Sequence, residues 1–535
     1  MDDPASGATE PPVPGPPAFE SLTAEQHRIL AYASAIGSEF DFDLLVAAMG
    51  SAEERLAEEL ETLVHAGVLR ERPGGDRFAF VEEQFRGRVY RSLTESRLRV
   101  LHRKIGEAME ALRPRPSGAV LAELGRHYFL GKVPEKSYRY NREAAEAARA
   151  DGEPELAAHH LERVLVDLAA LGADRRREQA EVAEVLGGLF YSIGDFRSAD
   201  RYFAEALDRL DENEPKARAR LLLARAEVAR ENLDVPAATQ GALAAQRLFE
   251  LTADPLGVAQ THRLLGRIAF QRGAYRDALD ESMQALDRLG PGGDALLLGR
   301  LSIDIGNSFA LLGPEVHSVA VEWYERAVDR LRQVGDWPEL SRAYHNLGVS
   351  IGEHRPQEGL DYLEQARAAA DRAHDPRSAG RALLSGVEMR LALGQLEEAE
   401  RDNDQAGRLL GRLTDELGLE LVETNRGQID ERRGQWEDAE RSYERAADMC
   451  RRLHLPADEA EVEFHLARLR FKTRDLDGAR RALRLAANLG LTELRPALAG
   501  PFDELKRQVE DAQGNAPGDG RDPGLPPRPT GGREL

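Results

Sequence analysis

Cysteine is almost missing from this sequence: Cys450 is the only one in 535 residues. No intrachain disulfide can form, which excludes the small stapled folds of oxidising compartments. Lysine is nearly as scarce, six of 72 basic residues, so almost all positive charge is arginine, a forked donor suited to carboxylates. No run of 18 apolar residues occurs, and the first residues are acidic and proline-rich rather than basic and then apolar. The expectation is a cytoplasmic chain that neither spans nor coats a membrane. A formal charge of −22 argues against general binding to nucleic acid or anionic lipid.

The usual marks of catalysis are missing too. The single Gly-Lys pair, Gly131-Lys132, is followed by Val133 and lacks the upstream glycine of a phosphate loop, so no ATP hydrolysis is expected. Of 13 histidines only His159-His160 adjoin, and adjacent residues diverge on a helix; no zinc-type spacing exists. Gly348-Val349-Ser350-Ile351-Gly352 spells a nucleophile elbow, but it lies where the repeat described next demands a helix rather than a strand-to-helix turn. No cofactor, no metal and no enzymatic activity are expected.

What the chain has in abundance is repetition. The stretch Gly434–Ala446 holds a turn glycine, an apolar anchor (Trp436) and a helix with Ala439, Tyr443 and Ala446 on one stripe. The small early residue recurs at Ala157, Ala199, Ala237, Ala278, Ala320, Gly359, Ala399, Ala439 and Ala479, at spacings of 38 to 42. Seven residues later come Val164, Ala206, Ala244, Ala285, Ala327, Ala366, Ala406, Ala446 and Ala486. Turn glycines precede the second helices at Gly152, Gly194, Gly273, Gly313, Gly394 and Gly434, with Asn232 and Arg474 standing in for glycine in two degenerate copies. The first helices carry Leu186-Gly187, Leu265-Gly266 and Ile305-Gly306, with Phe190 and Phe309 three residues on from two of the glycines. A partial unit with Gly125, Tyr128 and Ser137 introduces the array. Such two-helix units cannot bury their apolar faces alone and must stack. They resemble tetratricopeptide repeats lengthened to about 40 residues.

Ahead of the array, Thr23 and Gln26 form a capping box for a first helix ending at Ile36-Gly37. A short helix covers Asp43–Met49, and Ser51 caps a third bearing Leu56, Leu60, Leu63 and Val64 on its buried face. Val68–Arg72 and Asp76–Val81, joined by Pro73-Gly74-Gly75, form a hairpin. Three helices and a hairpin describe a winged helix. Its third helix carries Glu53, Glu54, Glu58, Glu59 and Glu61 against Arg55, which argues against DNA reading. The basic stretch from Arg86 to Lys104 is read as pairing with acidic neighbours or solvent. The domains expected are a disordered tail over 1–20, a winged helix over 21–115, about nine repeats over 116–510 and a disordered tail over 511–535. The fold class is all-α: a right-handed tetratricopeptide-type superhelical solenoid behind a small winged helix.

Ala35–Gly50, Leu63–Leu93, Arg99–Leu112 and Glu123–Ala148 together resemble a segment of STAND-type regulatory ATPases, among them ATP-dependent LuxR-type activators and ATPase-linked nucleotide cyclases. In such proteins a nucleotide-binding domain precedes a winged helix and a long tetratricopeptide-like sensor. The resemblance implies the sensor portion of such a regulator without its ATPase domain, with an ATPase or effector supplied by a separate protein.

In a stacked array the first helices line the concave groove, and the register brings Gln260, Arg263, Arg267, Arg300, Asp304, Asn307, Arg342, His345, Asn346, Arg381, Asn425, Gln428, His465 and Arg468 there. Many arginines with few carboxylates suit an acidic or carboxylate-bearing peptide or protein. Asn307, Asn346 and Arg381 fall where chaperone-binding tetratricopeptide domains place carboxylate-clamp donors, although Ile303 and Ser385 replace two others. The leading function is a non-enzymatic scaffold or regulator in signalling or transcription. The alternatives are a small-molecule inducer sensor and a DNA-binding regulator acting through the winged helix.

Overall fold

The computed structural model describes residues 22–514 apart from Pro291. The tail 1–20 therefore lies outside the described residues, as does 515–535; residues 511–514, read as tail, instead extend a helix. The chain divides into two compact units, residues 1–257 and 258–535.

The first unit opens with α1 (Ala24–Ile36), β1 (Glu39–Asp41), α2 (Phe42–Met49), α3 (Glu53–His65), β2 (Leu69–Glu71), β3 (Arg77–Phe80), α4 (Glu83–Ser92) and α5 (Glu95–Leu112). The capping box forms, with Gln26 N–H donating to Thr23 Oγ1 at 3.1 Å and Thr23 N–H to Gln26 Oε1 at 3.0 Å; such a cap stabilises a helix by about 1 kcal/mol. Ser51 does not cap α3. Ala52 is its first flanking residue and offers no side-chain acceptor, so α3 starts on its own first-turn carboxylates, Glu53 and Glu54. The hairpin gains a strand not read from the sequence: β1 pairs antiparallel with β3, giving the order β1-β3-β2. Three residues are too few to show alternation.

Then follow α6 (Ala119–Leu130), α7 (Pro134–Ala150), α8 (Pro154–Leu171), α9 (Arg176–Ile193), α10 (Phe196–Arg209), α11 (Pro215–Glu231) and α12 (Val235–Leu251). One apolar cluster runs from Ile29 through Leu60 and Ile105 to Tyr128, Tyr140 and Ala144, so the core is continuous across positions 115 and 116. Helix α7 serves twice: it packs on α6 as the second helix of the partial unit and on α8 as the first helix of the next hairpin.

Gly257 ends the first unit in the first turn of α13 (Pro255–Gln271). The second unit continues with α14 (Tyr275–Leu289), α15 (Ala295–Leu312), α16 (His317–Val334), α17 (Trp337–Gly352), α18 (Pro356–Arg372), α19 (Pro376–Ala392), α20 (Leu396–Arg412), α21 (Glu416–Arg433), α22 (Trp436–Leu453), α23 (Pro456–Lys472), α24 (Leu476–Asn488), α25 (Leu491–Leu494) and α26 (Ala499–Gly514). From α6 onward, each unit is thus a stack of antiparallel helix pairs of the tetratricopeptide type. Helix α15 is the one described helix long and apolar enough by composition to cross a membrane; here it packs against α16 and α17, with Leu301 and Ile305 fully buried.

The register has a packing cause. Ala199, Ala206, Ala320, Ala327, Ala399, Ala439, Ala446 and Ala479 are all 0% exposed. The glycine of each first helix admits the large residue between two such alanines: a Cβ at Gly187 would lie 2.5 Å from the Phe203 ring, and one at Gly306 or Gly427 would lie 2.5 Å from Tyr324 or Tyr443. Two adjustments follow. In α12 the buried pair is Ala238 and Ala245, while Ala237 is exposed, so the count there slips by one residue and the repeat becomes more even. The left-handed turn residue is accordingly Leu233 (φ 61°) rather than Asn232. Asn tolerates that conformation better, but Asp234, whose carboxylate accepts from Ala237 N–H at 3.0 Å, and Pro236 fix the start of α12. Gly313, at φ 137° and ψ 166°, keeps a positive φ that favours glycine but lies outside the left-handed helical region, because a short 3₁₀ turn over Pro314–Val316 intervenes before α16.

Candidate partner-binding face

The first helices α13, α15, α17, α19, α21 and α23 are the elements that carry the groove residues. The arginines meet carboxylates on neighbouring first helices. Arg263 Nε donates to Asp304 Oδ2 at 2.6 Å, and both side chains are under 15% exposed. Arg300 Nε donates to Glu339 Oε1 at 2.8 Å, and Arg342 Nη2 lies 2.8 Å from the other oxygen of Glu339 and 3.9 Å from Asp304. Arg468 Nη2 and Lys472 Nζ converge on Glu431, at 3.1 and 2.6 Å, where the Tyr443 hydroxyl also donates. Burial would raise the Glu431 carboxyl, but the charges of Arg468 and Lys472 outweigh it and hold it below its ordinary value. The expectation of many arginines with few carboxylates is therefore corrected: an ion-pair ladder runs from helix to helix. The sequence conceals it because Glu339 and Glu431 sit one turn away from the inward positions Arg342 and Gln428.

The remaining positions divide. Arg381 is exposed and makes no ion pair or hydrogen bond among the described residues; Gln260 is exposed, and Arg267 and Gln428 are half-buried. Asn425 does not face outward: it is buried, and its Nδ2 donates to Leu384 O at 3.4 Å on the adjacent first helix. His465 is buried as well, stacked at 5.5 Å on Tyr443, and burial together with the Arg468 charge brings its imidazole down to about 4. Farther along, the face turns acidic, with Glu388, Glu420 and Glu461 carried by α19, α21 and α23. Glu388 keeps an exposed surface, but desolvation by the helices around it and the charge of Glu461 raise its carboxyl, and burial raises Glu420.

Three predicted residues do come together. Asn307, His345 and Asn346 line a cavity of about 330 Å³ with Phe270, Leu311 and Val349. The Tyr324 hydroxyl and Asn346 Nδ2 both donate to Asn307 Oδ1, at 2.9 and 2.8 Å, which fixes how that amide is turned. His345 Nε2 meets Ser385 Oγ at 3.0 Å, and burial holds its imidazole below the ordinary value, aided by the charge of Arg381. Val349 was missed although it holds the same place as Asn307: each follows the glycine of its first helix. Being apolar, it carries no polar signal in the sequence. Ser350 lies within α17, its carbonyl meeting His317 Nε2 at 3.0 Å, so the elbow-like motif is continuous helix. On α3, Glu53, Glu54, Glu58 and Glu61 are all exposed.

No family model matches the chain, and no curated protein does. Among solved structures it is similar to a signal transduction ATPase with numerous domains carrying a tetratricopeptide repeat sensor from Pyrococcus horikoshii, with a TM-score of 0.41, 14% identity and coverage of 92% of this chain and 66% of that one. It is also similar to aspartyl phosphate phosphatase F from Bacillus subtilis (TM-score 0.41, 15% identity, 72% of this chain and 94% of that one). A third is the Rap conjugation gene regulator of the plasmid pLS20 in complex with the Phr* peptide (TM-score 0.41, 12% identity, 73% and 96%). A STAND protein with such a sensor is thus among the structural matches, and this chain spans about two-thirds of its length. The repeat fold itself rests on the packing described above.

Proposed function

We propose that the second unit binds an extended peptide or protein segment along its first-helix face, making the chain a non-enzymatic interaction regulator. The observation that carries this reading is the asparagine pair at the cavity. Asn307 Oδ1 is occupied by two donors, so its Nδ2 hydrogens are left to give. Asn346 Oδ1 has only a 3.5 Å contact from His345 and is left to accept. One free donor and one free acceptor amide on adjacent helices match the carbonyl and N–H of an extended backbone, and Phe270, Leu311 and Val349 offer apolar contact to its side chains. Arg381, with no carboxylate partner among the described residues, is the natural partner for an acidic group on the ligand.

The test is affinity capture from the native host with wild type, an Asn307→Ala/Asn346→Ala variant and Arg381→Glu. Arg263, Arg300 and Arg342 are poor targets, since reversing them would leave Asp304 and Glu339 unpaired. The expected result is loss of one partner from both variants; a separate ATPase or effector is the class looked for first. Capture of the same set by all three proteins would refute the reading. A thermal-shift gain from a metabolite that both variants abolish would transfer the face to a small-molecule sensor.

A further inference from the structure

The first unit holds a group of cations that the partner-binding reading does not use. They are not the linear basic stretch 86–104. There, Arg86 pairs with Glu83 at 2.5 Å and donates to Ser34 O, and Arg99 pairs with Glu95 at 3.6 Å. The group lies instead on α6, the following loop and α8. Arg126 on α6 donates through Nη2 to Ile36 O and to His127 Nε2, both at 3.0 Å, which fixes the guanidinium while leaving Nε and Nη1 to donate elsewhere. Arg163 on α8 is half-buried, and among the described residues it makes no hydrogen bond or ion pair; its guanidinium carbon sits 5.7 Å from the Phe129 ring centre. Lys132 Nζ lies 5.1 Å from the same ring. Lys132 is itself held in the left-handed conformation, φ 54°, after Gly131, where a Cβ would come 2.9 Å from the Arg103 backbone nitrogen.

Such crowding is costly without a counter-charge. Burial lowers Arg126 and Arg163, and the charge of Arg126 lowers Arg163 further. The nearby carboxylates compensate poorly. Glu123 acts on Arg126 only at a distance, and Asp167, facing Ser137, Lys132 and Arg163, is pushed up to about 6 by burial, with Oδ2 unpaired. The adjoining histidines add nothing negative: His102 and His127 hydrogen-bond through their Nδ1 atoms at 3.0 Å, and burial lowers both imidazoles.

We propose that Arg126, Lys132 and Arg163 form a binding site for the oligophosphate chain of a small molecule. Two guanidinium forks and an ammonium match several phosphate oxygens, whereas a single carboxylate would answer only one of them. Phe129 is already engaged by both Lys132 and Arg163 rather than standing open to a nucleobase, and the proposal therefore rests on the phosphates.

Calorimetric titration of the full chain with inorganic tripolyphosphate tests this, beside ATP and a phosphoserine peptide. Saturable tripolyphosphate binding is expected, weakened about tenfold or more by Arg163→Ala and by Lys132→Ala. Asp167→Asn, which removes the competing carboxylate, should tighten it. Neither the Arg163 nor the Lys132 side chain makes a hydrogen bond or ion pair among the described residues, so melting curves like wild type should exclude misfolding as the cause. ATP that competes through the same two residues would identify a nucleotide's phosphate chain as one source. Absence of saturable binding, or variants that bind like wild type, would overturn the proposal. So would a phosphopeptide that binds there at least tenfold more tightly than tripolyphosphate.

Discussion

Glu110, on α5, joins three helices, and replacing it with glutamine tests whether a partly exposed carboxylate can set the stability of a repeat boundary. It accepts from Tyr128 Oη at 2.7 Å on α6, and from Tyr140 Oη at 2.6 Å and Lys136 Nζ at 2.5 Å on α7. Burial would raise it, but the hydrogen bonds from Lys136, Tyr140 and Tyr128 prevail and bring it from 4.5 to about 2. A change of that size amounts to roughly 3 kcal/mol for a desolvated group. The carboxylate is 27% exposed, and solvent screening reduces the figure to about 1–2 kcal/mol. Because the folded value is depressed, this stabilisation is fully present above about pH 4.5 and is lost as pH falls towards 2. Glu110→Gln should therefore cost about 1–2 kcal/mol at pH 7 and abolish the acid sensitivity of α5–α7. Tryptophan fluorescence cannot read this, since Trp323, Trp337 and Trp436 all lie in the second unit. Amide hydrogen exchange can, as a roughly five- to thirty-fold loss of protection in α5, α6 and α7. Unchanged protection at pH 7, or the same acid profile in the variant, would refute the reasoning.

Other consequences are as direct. Neighbouring glycines in α9 should respond oppositely: Gly187→Ala drives a methyl into Phe203 and should cost about 1–3 kcal/mol, while Gly188→Ala meets nothing within 4 Å and should gain about 0.5–1 kcal/mol, both read by exchange in α9 and α10. Leu233 is 72% exposed and left-handed, so Leu233→Gly should protect α11 and α12 by about 0.5–1 kcal/mol; a loss would mean its side chain packs. Asp167 is raised, so its ionisation opposes folding with a cost that grows from its ordinary 3.8 and levels off above about pH 6. Asp167→Asn should accordingly stabilise α8 by about 1–2 kcal/mol at pH 8 and leave it unchanged near pH 3; equal effects at both would place the cause in packing.

The repeat was legible because its signal is redundant: nine buried small residues at near-constant spacing survive one miscounted copy. That copy failed where residue preference and geometry disagree, Asn232 suiting the left-handed turn that Leu233 in fact adopts. The three-residue β1 had no pattern to read, and its pairing depends on Phe40 meeting Phe78 across 38 positions of chain. At the candidate site, the register located Asn307, His345 and Asn346 but not what the arginines touch. A periodic count finds which residues share a face; it does not find a carboxylate one turn around the next helix, nor an amide such as Asn425 that turns sideways to a backbone carbonyl.

The ladder of arginines and carboxylates has a consequence for recognition. An acidic ligand arriving at Arg263, Arg300 or Arg468 does not add a new attraction; it must evict a resident carboxylate and gains only the difference. Selection along those rungs is a contest of exchange, in which simple acids gain little and only ligands whose shape excludes the incumbent succeed. At Arg381, outside the ladder and with no incumbent carboxylate among the described residues, charge alone can decide.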